Sequence, residues 1–83
     1  MNVSFYPNPF NEYATISFEL FKSSDVRIQL YDLQGKLLKT VCNNLYPAGM
    51  NQVILGKEDV KPGLYILKVN TKQTVTSIKI SVN

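Results

Sequence analysis

The stretch VRIQLYDLQGKLLKTV, from Val26 to Val41, predicts a β-hairpin around which the rest of the chain is organised. In its first half, three branched aliphatic side chains alternate with longer, more polar ones, and a period of two places the aliphatic ones on one face of a strand. These side chains are Val26, Ile28 and Leu30. One hairpin buries too little apolar area to offset its ordering entropy, so we expect a second sheet to pack against it.

The turn of this hairpin is predicted at Asp32-Leu33-Gln34-Gly35. Asp32 can accept hydrogen bonds from nearby backbone N–H groups, and Gly35 is free to adopt a positive φ. The second strand is expected from Lys36 to Val41. Leu37 and Val41 fall on one face of this strand and Leu38 on the other, which predicts apolar neighbours on both of its faces.

Five further segments have strand-like composition. The clearest is Ala14 to Leu20, where Ala14, Ile16, Phe18 and Leu20 alternate with polar residues. The others are Val3 to Phe5, Asn51 to Leu55, Leu64 to Asn70, and Val75 to Val82. In the last strand, Ile78, Ile80 and Val82 are expected to face inward, and Lys79 outward.

Proline, glycine and asparagine mark the connections between these strands. Pro7, Asn8 and Pro9 predict an extended, turn-rich loop, because proline cannot continue a helix and restricts the residue before it. A loop is expected from Asn43 to Gly49, with a tight turn at Pro47-Ala48-Gly49. A charged connection runs from Gly56 to Pro62, with one helical turn predicted at residues 57–60, and Pro62-Gly63 closes it.

About seven short strands at this spacing, without a long helix, predict an all-β fold: an immunoglobulin-like antiparallel β-sandwich. At 83 residues the chain is expected to form one domain, residues 1–83. We interpret Met1 as the start of a fragment of a longer protein. If the last strand lies at a sheet edge, its free N–H and C=O groups can pair with a strand from a partner.

Composition argues against several functions. The net charge of +3 comes from scattered lysines and the single arginine Arg27, whereas nucleic-acid readers usually cluster arginine on one surface. The chain contains no histidine, the usual general base, and Cys42 is its only cysteine. We interpret Cys42 as a small buried hydrophobe and not as a reactive thiol. We therefore expect neither enzymatic activity nor a cofactor, and the interrupted apolar pattern predicts no membrane span.

Two binding functions remain open alternatives. Glu58 and Asp59 are adjacent acids that could hold calcium, although the alternating acids of a dedicated calcium loop are missing. The tyrosines could form a platform for glycans if at least two lay exposed in a row. Tyr65, after Pro62-Gly63, fits better as a buried plug of one end of the sandwich, with its hydroxyl bonded to backbone or water.

Five segments, in this order and spacing, resemble the type A C-terminal sorting domain of the type IX (Por) secretion system. They are Tyr6 to Asn11, Val26 to Lys36, Pro47-Ala48-Gly49, Pro62-Gly63-Leu64-Tyr65, and Ile78 to Val82. Together they cover essentially the whole chain. Lys36 stands where many members of the family carry arginine, which keeps the positive charge but loses the planar guanidinium.

The resemblance implies a signal that directs an attached upstream cargo across the outer membrane of Bacteroidetes-type bacteria. The implied partners are the outer-membrane translocon with its shuttle and sortase components, with no role for nucleic acid. The implied route runs through the periplasm to the cell surface or the medium, often with cleavage and surface anchoring. The alternative is a cell-surface binding module for glycan or protein.

Within the domain we expect the terminal hairpin, from Leu64 to Val82, to be read by this machinery. The candidate recognition residues are Lys68, Lys72, Lys79, Ile78, Ile80 and Val82. The lysines would attract an acidic receptor, and the strand would offer its edge. The opposing interpretation is that Lys79 only protects an edge strand from aggregation.

Overall fold

Two antiparallel sheets face each other in the computed structural model, which describes residues 1–58 and 60–83. Within these residues the strands are β1 Val3–Tyr6, β2 Tyr13–Leu20, β3 Ser24–Tyr31, β4 Leu37–Tyr46, β5 Gly49–Gly56, β6 Gly63–Asn70 and β7 Val75–Val82. One sheet has the order β1-β2-β5 and the other β4-β3-β6-β7. The all-β sandwich expected from the sequence is confirmed.

The core forms between the inward faces of the two sheets, as strand alternation predicted. The side chains without any exposed surface come from β2, β3 and β6, and they are Ile16, Phe18, Val26, Ile28, Leu30, Leu67 and Val69. In β7, Ile80 and Val82 are buried and Ile78 packs half-buried against the core. Burying these aliphatic side chains, each worth about 1.5–3 kcal/mol, is the main stabilising contribution.

The β3–β4 hairpin is present, but its second strand is longer than predicted. Asn43 pairs with Arg27 and Tyr46 pairs with Ser24, so the expected loop from Asn43 to Gly49 is wrong: only Pro47 and Ala48 separate β4 from β5. Asparagine has a low strand propensity, but that preference is weak, and cross-strand pairing with β3 overrides it.

The apolar neighbours expected on both faces of this strand are found only in part: Val41 packs half-buried against the core, but Leu37 and Leu38 do not. Both side chains are 46% exposed. β4 lies at the edge of its sheet, and its pairing with β3 shifts register between Leu30 and Tyr31, so this end of the strand leaves the core.

The connection from β5 to β6 is partly described. The N–H of Val60 donates to the carbonyl of Lys57 at 2.9 Å, and Val60 is buried. This bond joins residues three apart and spans the segment for which a helical turn is predicted. Asp59, inside that segment, lies outside the described residues.

Candidate recognition surface

The predicted turn residues adopt the expected geometry. The Oδ1 atom of Asp32 accepts the N–H groups of Gln34 and Lys36, each at 2.9 Å, and Gly35 has φ +91°. Gly49 and Gly63 also have positive φ, at +101° and +151°. Asp32 therefore organises the β3–β4 turn as the sequence predicted, and this turn sets the register of the hairpin.

Pro7, Asn8 and Pro9 form a loop that reaches across to β7. The peptide bonds before both prolines are cis. The side chain of Asn8 accepts the N–H of Ser81 at 2.9 Å through Oδ1 and donates to the carbonyl of Lys79 at 3.3 Å through Nδ2. Its amide thus takes the place of a neighbouring strand's backbone.

The chain continues this pairing at Phe10. The N–H of Phe10 donates to the carbonyl of Ser81 at 3.3 Å, and the N–H of Asn83 donates to the carbonyl of Phe10 at 3.0 Å. The Phe10 ring is buried and meets Phe5 edge-on, with 5.6 Å between ring centroids. The β1–β2 loop therefore joins the last strand to the other sheet through hydrogen bonds and the buried Phe10 ring.

This pairing changes what the terminal strand offers to a partner. β7 is an edge strand, as the sequence allowed, but its outward backbone groups from Lys79 to Asn83 are largely occupied. Along an edge strand, backbone groups that face the open edge alternate with groups that pair with the neighbouring strand. On β7 the edge-facing groups without a loop partner are therefore those of Val75 and Ser77. A long strand addition along β7 would therefore require displacement of the Asn8–Phe10 loop.

The outer face of the four-stranded sheet carries basic side chains from three neighbouring strands. Arg27 on β3, Lys68 on β6 and Lys79 on β7 all point away from the core. Lys72, in the β6–β7 turn, lies 3.8 Å from Asp25, but both side chains are more than 60% exposed, so this ion pair contributes little to stability. The sequence prediction included the three lysines but missed Arg27.

Lys68 is held in the middle of this face by its neighbours. Its Nζ atom lies 4.9 Å from the centroid of the Tyr31 ring, a cation–π contact. The Tyr31 hydroxyl donates to Oε1 of Gln29 at 3.0 Å, and Nε2 of Gln29 donates to Thr40 at 3.4 Å. The ammonium group is therefore positioned by an aromatic ring and carries its charge without a carboxylate partner among the described residues.

The apolar candidates for recognition lie on the inward face of β7, away from the basic side chains. Ile80 is 1% and Val82 is 3% exposed, so their side chains hold β7 on the core and cannot be touched from outside. Ile78 is half-buried against the same core. These three residues position the strand that carries Lys79.

Two tyrosines pack against the core of the sandwich. The Tyr65 ring is buried and its hydroxyl donates to the carbonyl of Lys61, four residues upstream, as predicted for a plug; immunoglobulin-like domains use a comparable tyrosine corner. Tyr46 meets Phe18 edge-on at 5.3 Å. A hydrogen bond with the side chain of Cys42, together with burial, raises the pKa of Tyr46 above its usual value. Cys42 itself is half-buried against the core.

The structure can be compared with both alternative binding functions, a glycan platform of tyrosines and a calcium site. Tyr6 and Tyr13 are 76% and 61% exposed, and β1–β2 pairing places both on the outer face of the three-stranded sheet. Among the described residues, no cluster of three or more acidic, histidine or cysteine side chains could hold a metal. The suggested calcium pair includes Asp59, which lies outside the described residues.

Together these features define a class: a small immunoglobulin-like sandwich with a locked terminal strand and one basic sheet face. The chain belongs to the family of secretion system C-terminal sorting domains, whose sequence profile matches residues 4–83. Membership in this family makes the domain a sorting signal for type IX secretion, which implies export to the cell surface or the extracellular space. The alternative role as a general surface binding module is not favoured.

A solved structure shares the fold. It is that of PorZ, an essential bacterial surface component of the type IX secretion system of Porphyromonas gingivalis, with a TM-score of 0.68 and 19% identity. The similarity covers 99% of this chain and 11% of the PorZ chain. No curated protein matches the sequence. Within the described residues, no helix has the length and apolar character needed to cross a bilayer.

Proposed function

We propose that this domain directs an upstream cargo protein through the outer-membrane translocon of the type IX system, and that the system's shuttle and sortase components act on it after periplasmic transit. The family match supports this proposal, because a C-terminal sorting domain acts on the protein to which it is attached. Residues 1–83 form the sorting unit. Cleavage of the domain and anchoring of the cargo to the cell surface often accompany export in this proposal.

The surface that the machinery reads is the outer face of the terminal hairpin together with the adjacent part of β3. The observation that carries this proposal is the placement of Lys68 and Lys79 on one face with Arg27. A sorting signal must be recognised on different cargoes, so it must present a surface of its own. Positive charge attracts an acidic receptor and speeds encounter.

The domain is proposed to have no catalytic activity. Its sequence contains no histidine, and the basic face brings together lysine, arginine and amide side chains without a nucleophile–base pair. Hydrolase and transferase panels with the isolated domain should remain at background. A turnover abolished by one point substitution would contradict this part of the proposal.

The test of the recognition surface uses charge reversal, because deletion of Ile78 to Asn83 would remove the buried Ile80 and Val82 and unfold the domain. A cargo fused to the Lys68→Glu/Lys79→Glu variant should accumulate in the periplasm. The matched control, Lys22→Glu/Lys61→Glu, reverses the same number of charges at two exposed loop positions and should export normally. Equal export of both variants would refute the assignment of this surface.

A further inference from the structure

We propose that Arg27, Lys68 and Lys79 form a diagonal docking row for an extended acidic segment of a partner protein, with carboxylates on alternate residues. The inference rests on the proposed function, because it gives the chemistry of the partner that reads the basic face. It differs from strand addition at the edge, since the partner lies over the face of the sheet.

The register of the strands creates the row. Arg27 pairs with Asn70, two residues beyond Lys68 on β6, and Lys79 pairs with Ile66, two residues before Lys68. Each cation is therefore the diagonal neighbour of the next across adjacent strands. Diagonal neighbours lie about 8 Å apart at their backbones, so the row spans about 16 Å.

The direction of the row fits an extended chain. With about 4.8 Å between strands and about 6.7 Å between alternate residues, the row runs about 35° from the strand axis. Strands of sheets that pack face to face cross at about 30°. Alternate residues of an extended segment repeat every 6.7 Å or so, within reach of flexible lysine side chains spaced at about 8 Å.

The outer face of the four-stranded sheet carries more positive than negative charge, as this partner requires, with Asp25 on the same face two residues before Arg27. The acid near the row is Asp25, at its margin, where it lies 3.8 Å from Lys72. The three strands of the other sheet carry Glu19 and neither lysine nor arginine. The described residues provide no carboxylate partner for Arg27 or Lys79, so the row can accept acidic groups from outside.

The neighbours of the row favour a protein over lipid phosphate. Asn43 pairs with Arg27 and offers a side-chain amide, the Oδ1 atom of Asn70 can accept a hydrogen bond while its Nδ2 atom donates to the carbonyl of Arg27, and Ile66 adds an apolar surface. Protein interfaces combine such groups, whereas phosphate recognition usually gathers arginine forks. Because Tyr31 already positions Lys68, less side-chain entropy is lost on binding.

The test measures binding of the 83-residue chain to two fluorescent peptides of identical composition at low ionic strength. In one peptide, glutamate and threonine alternate; in the other, the glutamates form a single block. We expect the alternating peptide to bind about tenfold more tightly, a difference of about 1.4 kcal/mol. Equal affinity for the two peptides would overturn the proposed spacing.

Matched variants separate the row from general charge. Lys68→Gln should weaken binding of the alternating peptide and abolish its preference over the block peptide. Lys22→Gln removes the same charge from an exposed turn and should leave both the affinity and the preference unchanged. Thermal melts establish that both variants fold. Equal effects of the two substitutions would contradict the proposal.

Anionic vesicles of phosphatidylglycerol test the other source of negative charge. Binding to vesicles that depends on Lys68, without a preference between the peptides, would assign the face to lipid phosphate and overturn the proposal. The export assay is independent of these measurements. A domain that exports cargo but ignores the alternating peptide refutes only this inference, whereas one that binds the peptide but does not sort refutes the proposed function.

Discussion

Asn8 holds the backbone of Ser81, although 73 residues separate them in the sequence. Its Oδ1 atom accepts the Ser81 N–H at 2.9 Å, and its Nδ2 atom donates to the carbonyl of Lys79 at 3.3 Å. One side chain thereby satisfies a donor and an acceptor on an edge strand that would otherwise be open to other chains. This contact links the proline-rich loop of the first hairpin to the last strand of the domain.

The first prediction concerns this contact. Asn8→Ala removes both hydrogen bonds and should lower the free energy of unfolding by about 1–2 kcal/mol, measured by denaturant titration. The amide of Ser81 should also exchange faster with solvent. Asn2→Ala, in which an exposed asparagine is replaced, is the matched control. Unchanged exchange at Ser81 would mean that the loop does not protect the edge.

The second prediction concerns the turn after β3. Gly35 has φ +91° and nothing within 4 Å of an added Cβ, so Gly35→Ala tests backbone conformation without a steric clash. We expect a loss of about 1–2 kcal/mol, because an L-residue rarely adopts this region. Gly35→Asn should lose less, since asparagine tolerates left-handed conformations better. Equal melting temperatures for the alanine variant and the parent would contradict the turn assignment.

The third prediction concerns the buried tyrosine at the start of β6. Tyr65→Phe keeps the ring in the core but leaves the carbonyl of Lys61 without its hydroxyl donor. The free energy of unfolding should fall by about 0.5–1.5 kcal/mol. Tyr13→Phe removes an exposed hydroxyl and should have no measurable effect. Similar effects of both substitutions would show that the Tyr65 hydroxyl bond contributes nothing.

The fourth prediction is a dependence of stability on alkaline pH. The hydrogen bond with Cys42 and burial raise the pKa of Tyr46 in the folded state, so its neutral form is favoured there. The stability due to this shift is fully present below the unfolded pKa of 10.0 and is lost as the pH rises through the higher folded value. Tyrosinate absorbance should show a late-titrating component that Tyr46→Phe removes. In Cys42→Ala that component should titrate earlier; an unchanged titration would contradict the role of Cys42.

Local patterns in the sequence predicted much of this fold. Alternation identified β2, β3 and β7, and Asp32 and Gly35 identified the first turn, because these features depend on residues close together in the chain. The loop expected at Asn43 was wrong, since asparagine propensity carried more weight in the prediction than pairing with β3. Propensity alone contains no information about which strand lies alongside.

The recognition surface was predictable only in part. Lys68 and Lys79 could be proposed from the terminal hairpin, whereas Arg27 joins them through the register between β3 and β6, which the sequence does not reveal. The bond between Asn8 and Ser81 likewise depends on how the two sheets stack. Alternation applied to every strand places Arg27, Lys68 and Lys79 on outward faces, but it does not show that β3, β6 and β7 are neighbours in one sheet.

The central claim is that the folded domain is sufficient to sort a cargo. The most direct measurement fuses Asn2 to Asn83 behind a fluorescent cargo bearing a signal peptide, in a bacterium with a type IX system, and compares cargo in the periplasm with cargo at the surface and in the medium. The intact domain should move most of the cargo outside the cell, while the same cargo without it should stay in the periplasm. Retention of the cargo in the periplasm with a folded, intact domain would show that the domain is not a sufficient sorting signal.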